Sequence, residues 1–319
     1  MKAFILLLFT GVFTGGVIMA AKLARLDGVE PLVILLWQIS GSSILLWSVL
    51  LLTRDTGRPG RAYLNWSHIR YYLTGGLLGI TVPFALIYTV VQDLPVGLVG
   101  LITALSPLMT YALTRLLGQE SGNSLRLFGI LLGLLGVVLI MISKDTDVDD
   151  KQWPYLLMAL GIPLTLAFSN HYRSVAWPTG SQALPLATGM LSVQGIILLP
   201  TAVFSGQLPL SQLWPQLSSV SINFVAIILM LMAGLSYFGS FILLRIAGPV
   251  YLSQMGYIIT AVTVCLGILF LDEQYRLEDW MAMALIFVGL LMVSSQSNSS
   301  RPESQTHKLE NNLAKTQSC

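Results

Sequence analysis

Eight polar side chains stand inside long apolar stretches of the sequence: Gln38, Tyr88, Thr103, Tyr111, Gln194, Tyr237, Gln254 and Tyr257. None is a strong acid, base or metal ligand, so the chemistry open to them is hydrogen bonding and aromatic contact. A ring of amides, hydroxyls and aromatic faces suits a neutral, zwitterionic or amphipathic solute better than a highly charged one. Gln254 and Tyr257, three residues apart and hence on one helical face, form the strongest pair. Plainer roles stand against this. Gln38 and Gln194 could bond across a helix interface, a contact of about 0.6 kcal/mol in membrane proteins, and Tyr88 and Tyr237 could serve packing.

The charged residues suggest less. Glu120 and Glu273 each sit in a turn between two apolar runs, and the expected task of both is to cap the following helix through its free backbone amides, with gating as the sharper alternative. No carboxylate falls at mid-membrane, so no proton relay is evident. His171, with Asn170 and Arg173, marks the inner end of the sixth run, where an interfacial anchor is expected ahead of a gate. Arg115 and Arg245 are expected to extend their charges to the inner surface. His68, His171 and His307 are far apart, neither H-E-x-x-H nor G-x-x-x-x-G-K occurs, and the two cysteines, Cys265 and Cys319, are too few for a disulfide scaffold. Catalysis, a bound metal, a cofactor and ATP-driven transport within this chain are therefore not expected.

Helices in a membrane must position these residues. Apolar residues make up 55% and charged residues 10% of the 319, with a mean hydropathy of +0.76, whereas soluble domains carry about 25% charge. A net charge of +2 gives no reason to expect a nucleic-acid partner. Ten runs approach the roughly 20 residues needed to cross the hydrocarbon: 2–21, 31–53, 70–90, 94–117, 126–143, 153–169, 184–204, 222–247, 249–271 and 280–295. Unpaired backbone groups are too costly in lipid, and the alternating polarity of a barrel is missing, so the runs are expected to be helices. The sixth run, with Gly161 and Pro163, is the weakest. The first is read as a retained helix rather than a secretory signal, because its loss would spoil the duplication described below. Gly75, Gly76 and Gly79, and again Gly129, Gly133 and Gly136, form small-residue ridges expected to pack within one chain, with a homodimer seam as the alternative.

With the N-terminus in the cytoplasm, Lys and Arg divide twelve inside to five outside, the five being Lys22, Arg25, Lys144, Lys151 and Arg276. That division places both termini inside. The acidic stretch 144–151 is then an outer connector without calcium-loop spacing. Residues 297–319 are a polar cytoplasmic tail expected to be disordered.

The chain also repeats itself. Pro31-Leu32 and Pro95-Val96 recur as Pro185-Leu186 and Pro249-Val250 at a spacing of 154, while Thr110, Leu113, Leu116, Glu120 and Gly136 recur as Thr263, Leu266, Leu269, Glu273 and Gly289 at 153. Two halves of five helices each, 1–146 and 153–296, would enter the membrane with opposite orientation, because the number of helices per half is odd. The stretch from Pro95 to Gly136, with Pro107, the L-L-G-Q-E turn ending at Glu120 and a glycine-rich fifth helix, resembles the ten-helix EamA-type carriers of the drug/metabolite transporter superfamily, and Leu271 to Glu273 echoes the same turn. Thr260 departs from the pattern where the first copy has Pro107, and Trp37-Gln38 stands in a region where many members have a basic residue. The resemblance implies an all-α inner-membrane carrier that moves small metabolites by alternating access, often outward, through a cavity between the halves. A membrane scaffold or a lipid-modifying protein is the alternative.

Overall fold

Lipid offers the backbone no hydrogen-bond partner, and the apolar runs meet that constraint as helix. The computed structural model describes residues 2–53, 65–117, 124–142, 153–204 and 220–294. They contain α1 (Lys2–Leu26), α2 (Pro31–Thr53), α3 (Trp66–Gly76), a π-helical turn (Leu77–Thr81), α4 (Val82–Val90), α5 (Val96–Thr103), α6 (Ser106–Leu116), α7 (Ser124–Ile142), α8 (Trp153–Val175), α9 (Ala183–Phe204), α10 (Val220–Ala247), α11 (Pro249–Ser253), α12 (Met255–Leu271) and α13 (Leu277–Ser294). Among the described residues, seven segments are long and apolar enough to cross a membrane, counting α3 to α4, α5 with α6 and α11 with α12 as one each. The sixth run is helical in spite of Pro163, and α8 runs on to Val175, six residues past the expected end. Glu120, the stretch 144–151 and the tail lie outside the described residues.

Three runs are interrupted among the described residues, two of them at a proline. Pro107 has no N–H to offer the carbonyl of Thr103, so the fourth run breaks between α5 and α6, and the Ser106 hydroxyl donates to that carbonyl at 2.7 Å instead. In the ninth run the break falls at Gln254, which ends α11 and begins α12. Ahead of it Gly248 takes a φ of 84°, a left-handed conformation that turns α10 into α11. In the third run the π turn ends two residues before Pro83, whose missing N–H and bulky ring it accommodates. Gln194 stitches this irregular stretch to α9: its Nε2 donates to the Tyr72 carbonyl at 2.9 Å, and Thr81 donates to its Oε1 at 2.7 Å.

The helices pair in a definite pattern. α1 packs on α10 and α12, α10 on α2, α4 and α6 on α8, α3 and α2 on α9, α5 on α12, and α7 on α13. Missing side chains let several of these pairs approach closely. Gly11 and Gly15 of α1 face Ile258 and Val262 of α12, and Gly75, Gly76 and Gly79 face Arg173, Gln194 and Ser169. That glycine ridge is thus used within the chain; Gly129 and Gly136 are buried in α7, which packs on α13.

A Cβ at Gly15 would lie 2.7 Å from Val262, with the Ile259 carbonyl behind it. Gly15→Leu is therefore expected to cost about 1–3 kcal/mol of stability, seen as a lower melting midpoint of the purified protein. An unchanged midpoint would contradict the α1–α12 approach.

Candidate functional site: a polar cavity at the crossing of the broken helices

The two interrupted helices cross where their backbones are most exposed to one another. Gly256 of α12 sits against the Thr103 carbonyl and Ala104, and Thr260 donates to the Gly100 carbonyl at 2.8 Å as well as to its own Gly256 carbonyl. Such irregular backbone is tolerated at membrane depth only where protein or a cavity receives it. Beside the crossing lies a cavity of about 70 Å³, walled by Thr103 and Ser106, by Ser253, Met255 and Gly256, by Gly79, Pro83 and Phe84, by Thr14 and Ile18, by Asn170 and Arg173, and by Ser236, Tyr237 and Ser240. That space admits a few waters and is well below the roughly 300 Å³ at which ligand pockets begin, so the helices are drawn in around it.

The wall is polar in a particular sense. The hydroxyls of Thr103, Ser240 and Ser253 donate to the carbonyls of Val99, Ser236 and Val250 at 2.8, 2.8 and 2.7 Å. With their protons spent on the backbone, these oxygens offer lone pairs. Thr14 and Ser236 pair through their hydroxyls between α1 and α10. Behind the wall, Gln38 is fully buried and joins two phenols: Tyr88 donates to its Oε1 at 2.5 Å, and its Nε2 donates to the Tyr237 oxygen at 2.7 Å. Tyr237 also meets Phe84 edge-on, at 6.0 Å between ring centres.

Of the eight polar candidates, Thr103 and Tyr237 line the cavity, and Gln38 and Tyr88 form the layer that holds Tyr237 in place. Gln194 serves the π turn. Tyr111 is fully buried in α6, away from the cavity. Gln254 is the joint between α11 and α12, and Tyr257 packs on Phe287 of α13 at 6.4 Å. Their neighbours Ser253, Met255 and Gly256 face the cavity instead. Asn170 and Arg173, expected as interfacial anchors, are 7% and 6% exposed and line the cavity. His171 between them does not. Arg173 falls inside the membrane helix because α8 continues to Val175.

Glu273 does cap a helix, but not the one that follows it. Its carboxylate receives the Val96 N–H at 2.6 Å, the Gly97 N–H at 3.3 Å and the Tyr275 hydroxyl, so it closes the N-terminus of α5 in the other half of the chain. Pro95 starts that helix and leaves these amides exposed. Lys22 reaches the same end from α1 and donates to the carbonyls of Gln92 and Leu94 at 3.1 Å each. Three remote segments are tied together there.

Residues 1–142 match the EamA-like transporter family. The chain is 28% identical over 279 residues to the inner membrane transporter YedA of Escherichia coli strain K12, covering 84% of this chain and 83% of that one. It is 26% identical over 230 residues to protein PecM of Dickeya dadantii strain 3937, covering 71% and 74%. A solved crystal structure superposes with a TM-score of 0.63 at 16% identity, covering 94% of this chain and 99% of the other, which is a likeness of fold.

Glu273→Ala removes a charged cap from two amides and is expected to cost about 0.5–2 kcal/mol, measured as a lower melting midpoint, with Glu273→Gln recovering part of it. A neutral Glu273→Ala would show that the cap contributes nothing.

Proposed function

We propose, from the match of residues 1–142 to the EamA-like transporter family and the likeness to YedA and PecM, that the chain is a multi-pass inner-membrane protein of the EamA type and a secondary transporter, an exporter of small organic metabolites such as amino acids or amphipathic drug-like compounds, working by alternating access. In this reading ten helices form two inverted repeats, 1–146 and 153–296, with both termini and the tail 297–319 in the cytoplasm.

The packing pattern supports the repeat. Exchange each helix for its counterpart five runs along, and the α1–α10 pair becomes α8 on α4, α10 on α2 becomes α3 on α9, and α1 on α12 becomes α8 on α6. The pairs α5–α12, α2–α9 and α7–α13 map onto themselves. Residues 1–142, the family match, fall within the first repeat.

The observation that carries the transport reading is the position of the cavity. It is walled by helices of both halves at the crossing of two discontinuous helices, the arrangement in which repeat-built transporters hold their substrates. At one end of the bundle the Glu273 cap and Lys22 join α1, α5 and the connection after α12. With the termini in the cytoplasm this shut end is extracytoplasmic, while Arg173, Ser240 and Ser253 lie toward the cytoplasmic ends of their helices. A cavity leaning toward the cytoplasm and sealed outside is the loading state of an exporter. The cap at Glu273 then serves as an outer gate. By the repeat, Glu120 is its counterpart for the amides after Pro249 when the inner side closes.

Purified protein reconstituted in liposomes and offered a panel of labelled amino acids and amphipathic amines in counterflow tests the reading. Accumulation of at least one class above protein-free vesicles is expected. A folded protein that moves none of them would contradict it.

A further inference from the structure

Arg173 is a buried charge on the wall of the cavity. It is 6% exposed, its guanidinium carbon stands 4.2 Å from the centre of the Phe241 ring, and Tyr71 and Tyr237 are its near polar neighbours. No carboxylate lies within ion-pair distance of it among the described residues. Its Nε and Nη2 have no hydrogen-bond partner. An arginine that serves structure in a membrane pairs with an acid or carbonyls, or extends its head to the interface. This one does none of these, and an aromatic face compensates only a fraction of what burial of a lone charge costs.

We propose that Arg173 is the anion-binding residue of the cavity and that the solute it receives carries a single carboxylate. This names the substrate class of the transport site, so it rests on the transporter reading only for the movement of the solute, not for its binding. The two unbonded groups, Nε–H and Nη2–H, form the side of the guanidinium that a planar carboxylate takes with both oxygens. Tyr237 adds a second donor, because its oxygen already accepts from Gln38 and its own proton is left for a ligand. One cation and one phenol balance one negative charge. A dianion such as phosphate would carry a second charge into a wall of hydroxyl oxygens whose protons are committed to carbonyls. Those oxygens accept, so they favour an ammonium or amide N–H on the remainder of the solute, while Ile18, Phe84 and Ile259 favour an apolar part.

The test is a melting-midpoint titration of the full chain in detergent with acetate, propionate, benzoate, alanine and phenylalanine, each beside its carboxamide, with chloride and phosphate at equal ionic strength as ion controls. At least one carboxylate is expected to raise the midpoint, its carboxamide to bind about tenfold to hundredfold more weakly, and Arg173→Gln to abolish the difference. Arg173→Lys, which keeps the charge without the fork, is expected to bind the carboxylate more weakly than wild type and more tightly than Arg173→Gln. If Arg173→Gln does not fold, the carboxylate and carboxamide comparison on wild type and Arg173→Lys decides. The proposal is overturned by equal shifts from a carboxylate and its carboxamide, by chloride or phosphate matching the best carboxylate, by a shift that survives in Arg173→Gln, or by no carboxylate shifting the midpoint. In liposomes the two readings separate. Flux of neutral solutes unaffected by Arg173→Gln would leave the transporter and remove the site, whereas Arg173-dependent carboxylate binding without any flux would leave the site and remove the transporter.

Discussion

Everything in this structure depends on where broken backbone can be placed in a medium that offers it no hydrogen bonds. The breaks at Ala104 and Gln254, and the π turn before Pro83, would be intolerable against lipid. They are instead brought to the middle of the bundle, where Ser106 donates to the carbonyl that Pro107 abandons, Thr260 to the carbonyl of Gly100, and Gln194 to that of Tyr72. The glycines follow from the same requirement. Gly100 and Gly256 carry no side chain where α5 and α12 cross, so that one helix can serve the other's backbone directly. A cavity forms where irregular segments cannot fill space as evenly as regular helices, and it is polar because the hydroxyls that repair the backbone surround it. Packing, backbone repair and a small polar hollow are thus consequences of one constraint.

Electrostatics then divides the bundle into two ends. At one, a carboxylate on the second half holds the amides of a helix in the first, and Lys22 binds carbonyls beside it. These charges are satisfied and act as fasteners. Toward the other end Arg173 is buried on Phe241 with no acid partner among the described residues. A satisfied charge stabilises one arrangement of the helices; an unsatisfied one makes the protein responsive to whatever anion enters. Two-state motion needs both: a fastening that can be exchanged and a ligand whose binding differs between the states.

Much of this was legible from residue order. Pro31 and Pro249 open helices where the sequence places them, every apolar run proves helical, and Gln38, Tyr88 and Tyr237, chosen only as polar groups in apolar surroundings, are found hydrogen-bonded to one another. What was not legible has a common cause, the phase and length of helices. Gln254 and Tyr257 share a face only if the ninth run is one continuous helix. The joint at Gln254 gives the cavity to Ser253, Met255 and Gly256 instead. Arg173 belongs to an interface only if the sixth run ends where its hydropathy falls, whereas α8 carries polar residues inward under cover of α3, α4 and α10. Glu273 receives the amides of α5 and not those of the helix that follows it. Its partner is distant in sequence, because the amides left open by Pro95 are reached only through the fold.

The central claim is that the cavity between the halves is open to one side of the membrane at a time and that the Glu273 end is the shut one in the present conformation. The most direct measurement places single cysteines at Ser106 and Ser240, with Cys265 and Cys319 replaced by serine, and follows their labelling by a membrane-impermeant thiol reagent from either side. Labelling from the cytoplasmic side, with little from the outside until Glu273 is replaced by alanine, is the expected result. Equal labelling from both sides, or from the outside alone with Glu273 intact, would contradict the account.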